Sequence, residues 1–192
     1  MATEKWDIDT SHSSVGFSVR HMVISKVHGH FTKWGGELAL DLEDLARSSV
    51  SIEIDAASID TREPKRDEHL RSPDFFDAEK FPKLTFKSEK IQRTGDDSAK
   101  VTGALTIHGV TREATLDVEL GGVGKDPWGG QRAGFSAKTR INRKDFGLSW
   151  NQALEAGGVL VGENIDITIE LQAKKLGRTA FSFQLSAFSS QL

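Results

Sequence analysis

The chain has 192 residues, a formal net charge of −3 and no cysteine. That length suits one domain with a sizeable core, or one β-barrel with insertions. The absence of cysteine excludes disulfides, thiolate metal sites and a cysteine nucleophile, and the near-balanced charge argues against a nucleic-acid partner, whose binders carry a basic face. No stretch approaches the roughly 18 apolar residues of a membrane span. The first residues, MATEKWDID, lack the basic head and apolar run of a secretory signal, so a cytoplasmic location is expected.

Lys5 to Ile8 reads as a short first strand with Trp6 and Ile8 on one face. From Ser13 to His21, Val15, Phe17 and Val19 alternate with small or polar residues, the period of a half-buried strand. One further step puts His21 on the same face. Met22 to Lys26 breaks the alternation and is expected to turn. Val27, Gly29 and Phe31 share the next face, with His28, His30 and Thr32 opposite. Trp34-Gly35-Gly36 suggests a bulge or kink, which glycine in a strand often marks, before a strand over Glu37 to Asp41. Leu42 to Arg47 is a short connector. Ser49 to Ala57 alternates again, with Val50, Ile52 and Ile54 inward.

The segment Ser58 to Pro82 does not alternate. Pro64 suits the first turn of a helix, where its missing N–H has no partner to lose, and Pro73 forces the chain out of helix by Ser72. A helix near Pro64 to Arg71 is predicted. Phe75, Phe76 and Phe81 follow within mostly charged sequence, so they need burial against a sheet. Either they plug the end of a barrel core or they wall a ligand cavity.

After this insertion, Leu84 and Phe86 point one way. Thr94 to Asp97 is a turn cluster. Lys100 to Ile107 and Thr111 to Leu120 are strands joined by a tight hairpin at His108-Gly109, with Leu105 and Leu116 among their inward residues. Gly121 to Gly130 is read as a glycine-rich loop. Arg132 to Asn142 is a strand whose inner face carries Ala133, Phe135, Ala137 and Ile141, with Thr139 its one polar member. Arg143 to Gly162 forms a second long insertion bearing Phe146, Leu148 and Trp150. Structureless connections this long are uncommon and often functional. Ile165, Ile167, Ile169 and Leu171 complete the core. The tail from Lys174 to Leu192 changes character, losing charge after Arg178 and gaining Ser and Phe. It reads as an extra element packed on the barrel, a dimer contact, or a disordered or foreign stretch.

Eight or nine strands without a βαβ rhythm predict an all-β, antiparallel up-and-down barrel of about eight strands with a short helical insertion. A barrel of that size holds either its own side chains or one small ligand. Familiar hydrolase, nucleotide and metalloprotease motifs are missing. His28 and His30 could bind a metal, but they sit on the outer face without an obvious third ligand; no metal and no cofactor are expected. What remains is apolar volume, concentrated in the two long connections. His21, His69 and Thr139 are candidates for the few polar groups such pockets place among apolar ones.

The stretches WDIDTSHSSVGFSVRHM (6–22), ISKVHGHF (24–31), SIDTREPKRDEHLRSPDFFDAEKFPKLTF (58–86), LTIHGVTRE (105–113), INRKDFGL (141–148) and GGVLVGENIDITIEL (157–171) resemble the YceI family of lipocalin-like polyisoprenoid-binding proteins. The R-D-x-x-L-x-S-x-D-F-F-D segment is the most specific of them. The resemblance spans residues 5–173, which leaves 174–192 as a separate tail. It implies a long hydrophobic pore that carries a polyisoprenoid or other long-chain amphiphile, and frequent homodimers. Many members are periplasmic with a signal peptide, which this sequence does not display. Phe17, Val19, His21, Phe31, Ile54, His69, Leu70, Phe75, Phe76, Phe86, Leu105, Leu116, Phe135, Phe146, Leu148 and Trp150 are then the expected ligand contacts, and a binding or transport role rather than an enzyme is expected. The alternative is an enzyme acting on a lipid-like substrate in the same pore, with His21 or His69 as acid and base.

Overall fold

In the computed structural model, residues 3–155 and 157–177 are described. The strands are β1 (Glu4–Ile8), β2 (Ser14–His21), β3 (Ser25–Phe31), β4 (Trp34–Leu40), β5 (Ser49–Asp55), β6 (Ile59–Asp60), β7 (Lys83–Arg93), β8 (Ser98–Ile107), β9 (Val110–Lys125), β10 (Gln131–Asn142) and β11 (Val161–Lys175), with one α-helix, α1 (Pro64–Arg71). Six of the strands are halves of three long bent ones. β1 and β2 both pair with β11 on one side, and with β4 and β3 respectively on the other. β4 pairs with β5 and β3 with β6. Counted as β1/β2, β3/β4, β5/β6 and β7 to β11, eight antiparallel staves follow one another around the ring, and pairing of β1 with β11 closes it. This is the expected up-and-down barrel.

Two of the bends have a local cause. Asp9 and Asp55 each accept a hydrogen bond from the backbone N–H two residues on, which starts a single turn of 3-10 helix in place of strand; Asp44 and Asn142 do the same in the connections that follow β4 and β10. Across the first bend the ladder continues, since Asp9 N–H donates to Gln172 O and Gln172 N–H donates to Ser13 Oγ. The β8–β9 hairpin turns on His108 and Gly109, both at positive φ (53° and 71°), as the primed two-residue turn requires.

Two sequence readings are corrected. Trp34-Gly35-Gly36 is neither bulge nor kink, because it pairs in unbroken register with Ile54, Glu53 and Ile52. Gly36 is instead a close approach: a Cβ there would stand 2.0 Å from Ser51 O. Gly121 to Lys125 is strand rather than loop, because the ladder with β10 supplies backbone hydrogen bonds that composition does not reveal. This ladder shifts register between Gly134 and Phe135. β11 runs on to Lys175. The rest of the predicted tail, from residue 178, lies outside the described residues.

Successive staves of such a barrel are joined at alternating ends. One end therefore collects the β2–β3 turn, the α1 insertion, the β8–β9 hairpin and the 143–160 connection. The other collects residues 41–48, 94–97 and 126–130. Apolar packing is dense in two places. One cluster, at the first end, joins Val15, Phe31, Ala56, Ile59, Phe75, Leu84, Ile107, Phe146 and Leu148. The other joins Trp6, Ile8, Leu38, Leu40, Ala133 and Ala173.

Near the opposite end, Arg132 joins two carboxylates. Its Nη1 lies 2.8 Å from Asp9 and its Nε 3.2 Å from Asp126. Hydrogen bonds from Ser11, Arg132 and His12 hold the Asp9 carboxyl well below the usual range. The Gly130 N–H, with help from Arg132 and Trp128, lowers that of Asp126 against its burial. A carboxyl whose folded-state pKa is depressed stabilises the fold fully above its unfolded pKa of about 4, and loses that contribution as pH falls further. The thermal midpoint is expected to hold steady from neutral pH to about 5 and then to drop. Asp126→Asn should flatten that drop; a wild-type midpoint unchanged at pH 3 would contradict the assignment.

Candidate functional site

Between the two packed clusters the barrel is hollow. A continuous cavity of about 320 Å³ is lined by apolar side chains from every stave. The inward residues of β11 (Ile165, Ile167, Ile169 and Leu171) are only half-buried although they face the interior, because no opposing side chain fills the space before them. At about 3.4 Å per residue and a tilt near 40°, the inward run from Val161 to Leu171 corresponds to a pore roughly 25 Å long.

The cap is built from the insertion. Pro64 occupies the first turn of α1, the Glu63 side chain accepts from Lys65 N–H, and the helix ends at Ser72 before Pro73. Buried Asp67 locks α1 onto β6 by accepting from Thr61 N–H (2.9 Å) and Thr61 Oγ1 (2.6 Å). Arg71 donates to the carbonyls of Ala57 and Ile59. The chain then folds back, with Phe76 N–H donating to Leu70 O, so that Leu70, Phe75 and Phe76 face the cavity. Phe76 meets Phe31 edge-on at 6.0 Å, and Phe31 meets Phe17 at 5.8 Å. Phe146 and Leu148 enter from the second insertion. Plug and wall are thus one set of side chains.

Of the sixteen residues singled out from sequence, Phe17, Val19, Phe31, Ile54, Leu70, Phe75, Phe76, Phe86, Leu105, Leu116, Phe135, Phe146 and Leu148 line the cavity. His21, His69 and Trp150 do not. His21 ends β2, where it pairs with Val161 and Ser25. His69 sits on the outer side of the cap, edge-on to Phe75 (5.1 Å) and Trp150 (4.7 Å), with Nε2 2.8 Å from the exposed Asp74 carboxylate. The histidine–carboxylate pair that an acid–base mechanism would need therefore exists, but away from the cavity. Phe81 packs beneath the His108-Gly109 hairpin instead, at 4.7 Å from the His108 ring; a Cβ at Gly109 would stand 2.5 Å from it. Thr139 lines the cavity, with its hydroxyl donating to Thr115 O. His30 faces Asp60 at 3.8 Å outside the barrel, and among the described residues no group of three or more His, Asp or Glu side chains is placed to hold a metal ion.

The two ends of the cavity differ in charge. Arg93, Asp96 and Asp97, with Leu42 and Leu45, border it at the uncapped end. Arg143 borders it at the capped end and is 3% exposed. Sequence reading missed Arg143, though a signal was available: Ala133, Phe135, Ala137, Thr139 and Ile141 mark the inner face of β10, and one more step of two reaches Arg143. Its guanidinium donates to three backbone carbonyls, those of Leu148 (2.6 Å), Gly162 (2.9 Å) and Val161 (3.4 Å). Burial lowers its pKa, partly offset by the charge of Glu163.

An eight-staved antiparallel barrel around one capped apolar pore is a lipocalin-like fold. The YceI-like domain model matches residues 6–173, and the chain belongs to that family. It is 44% identical over 143 residues to a UPF0312 protein of Vibrio cholerae, covering 73% of this chain and 76% of that one. Among solved structures, BcnA of Burkholderia cenocepacia superposes with a TM-score of 0.77 at 26% identity, covering 86% of this chain and 99% of that one. A polyisoprenoid binding domain from Saccharophagus degradans, implicated in plant cell wall breakdown, shares the fold at 15% identity, with a TM-score of 0.65 over 91% and 100% of the two chains. No helix among the described residues is long and apolar enough to cross a membrane.

Proposed function

We propose that this protein binds and carries a long-chain amphiphile, of the polyisoprenoid class, inside the barrel. The observation that carries the reading is the continuous apolar cavity between the two packed clusters, beneath a cap rich in phenylalanine. Each buried methylene contributes about 0.8 kcal/mol, so a long chain binds tightly there without ionic contacts. The thirteen cavity-lining residues named above are the proposed contacts. Membership of the YceI-like family supports a binding role, and the polyisoprenoid binding domain of Saccharophagus degradans supplies the ligand class by likeness of fold. The enzyme alternative finds no support at the cavity, since no histidine among the described residues lines it.

The test is native mass spectrometry of the purified protein, followed by organic extraction and titration with an added prenyl lipid. A stoichiometric long-chain adduct, or saturable uptake of the added lipid, is expected. A protein that arrives without an adduct and takes up no prenyl lipid overturns the reading.

A further inference from the structure

Arg143 has a feature that holding a loop does not account for. A guanidinium carries five N–H donors in a rigid fork. Three serve backbone carbonyls of the second insertion, which leaves two without a hydrogen bond among the described residues. No carboxylate of the described residues lies within 4.0 Å of it; the nearby Glu163 pairs with Lys144. The side chain is nevertheless almost wholly buried and lines a cavity that is otherwise apolar there, among Ile141, Phe146, Leu148 and Val161. Charges withdrawn from water are ordinarily compensated by an opposite charge, because carbonyl dipoles only partly replace their hydration. The uncapped end offers an anion no such welcome: Asp96 and Asp97 border it, and Arg93 already donates to Asp96 O.

We infer that the carried amphiphile has an oxyanion head group, and that Arg143 receives it at the capped end of the cavity. The spare donors of the fork match a carboxylate or phosphate oxygen, and such a bond is strong in a site from which water is excluded. The chain then extends along β10 and β11 toward the uncapped end. This inference rests on the carrier reading and adds the chemistry and position of the head.

The test compares cis-parinaric acid with its methyl ester, two fluorescent probes that share one chain, by titration into the intact protein at neutral pH. The acid is expected to bind roughly tenfold tighter or more. In Arg143→Met, the acid should fall to the level of the ester while the ester stays within about twofold of wild type; Arg143→Lys should retain part of the preference, since it keeps the charge without the fork. Equal binding of acid and ester to the wild type overturns the inference and leaves the carrier reading standing. So does a preference that survives undiminished in folded Arg143→Met. If the Met variant fails to fold, the wild-type comparison and the Lys variant decide. Binding of neither probe overturns the inference, and the carrier reading then stands or falls on the prenyl-lipid titration.

Discussion

Replacing Phe76 by aspartate is expected to abolish ligand uptake while the barrel still folds. The Phe76 ring faces the cavity and meets Phe31 edge-on. A carboxylate in its place would replace an apolar ring in an apolar wall, and a buried charge without a partner costs several kcal/mol. At about 1.4 kcal/mol per tenfold, that removes measurable binding. Folding should survive, because Phe76 belongs to the insertion after α1 and takes no part in the strand ladder. Phe76→Leu, which keeps the apolar surface, should retain uptake. Native mass spectrometry with circular dichroism reads both properties, and a folded aspartate variant that keeps its ligand would show that the cap does not wall the binding site.

The second large effect falls on stability. Phe146 is 2% exposed and packs in the cluster that includes Val15, Phe31, Ile59 and Phe75. Truncation of such a ring to alanine costs about 3–5 kcal/mol, through lost transfer energy and the void left behind. For a chain of this size that corresponds to a drop in thermal midpoint of roughly 6–20 °C. The lower part of the range is expected, since one side of the ring already borders the cavity and has fewer contacts to lose. A change under 1 kcal/mol in a chemical denaturation series would mean that this end of the barrel collapses to fill the gap, and that the second insertion is not held by its ring.

Sequence was most informative where a rule acts locally. Pro64 and Pro73 bracketed α1 at the residues where it starts and stops, because each constrains the backbone without regard to tertiary partners. The period-two runs on β2, β5, β10 and β11 placed the inward face correctly, because side chains alternate whatever the neighbouring strand is. It misled where partners decide. Gly121 to Lys125 has the composition of a loop, but β10 lies beside it and pairs with it. His69 and Trp150 sit in the right segments, yet they meet edge-on outside the cavity, because which side of an insertion faces the pore depends on how α1 docks. Arg143 follows the inward alternation of β10, but its burial also needs the second insertion to fold over it.

The sequence by itself determined the antiparallel barrel class, the helix, the hairpin at His108-Gly109 and most of the cavity's apolar lining. These follow from chain stereochemistry and from the period of side-chain alternation, both of which operate over a few residues. The tertiary structure alone decided that both insertions close the same end, that the barrel between its two packed clusters is hollow, and that an arginine lies under the cap with donors to spare. Those depend on strand order and on how distant side chains share volume: whether inward residues meet or leave a space is set by the width of the closed ring, which no single segment encodes.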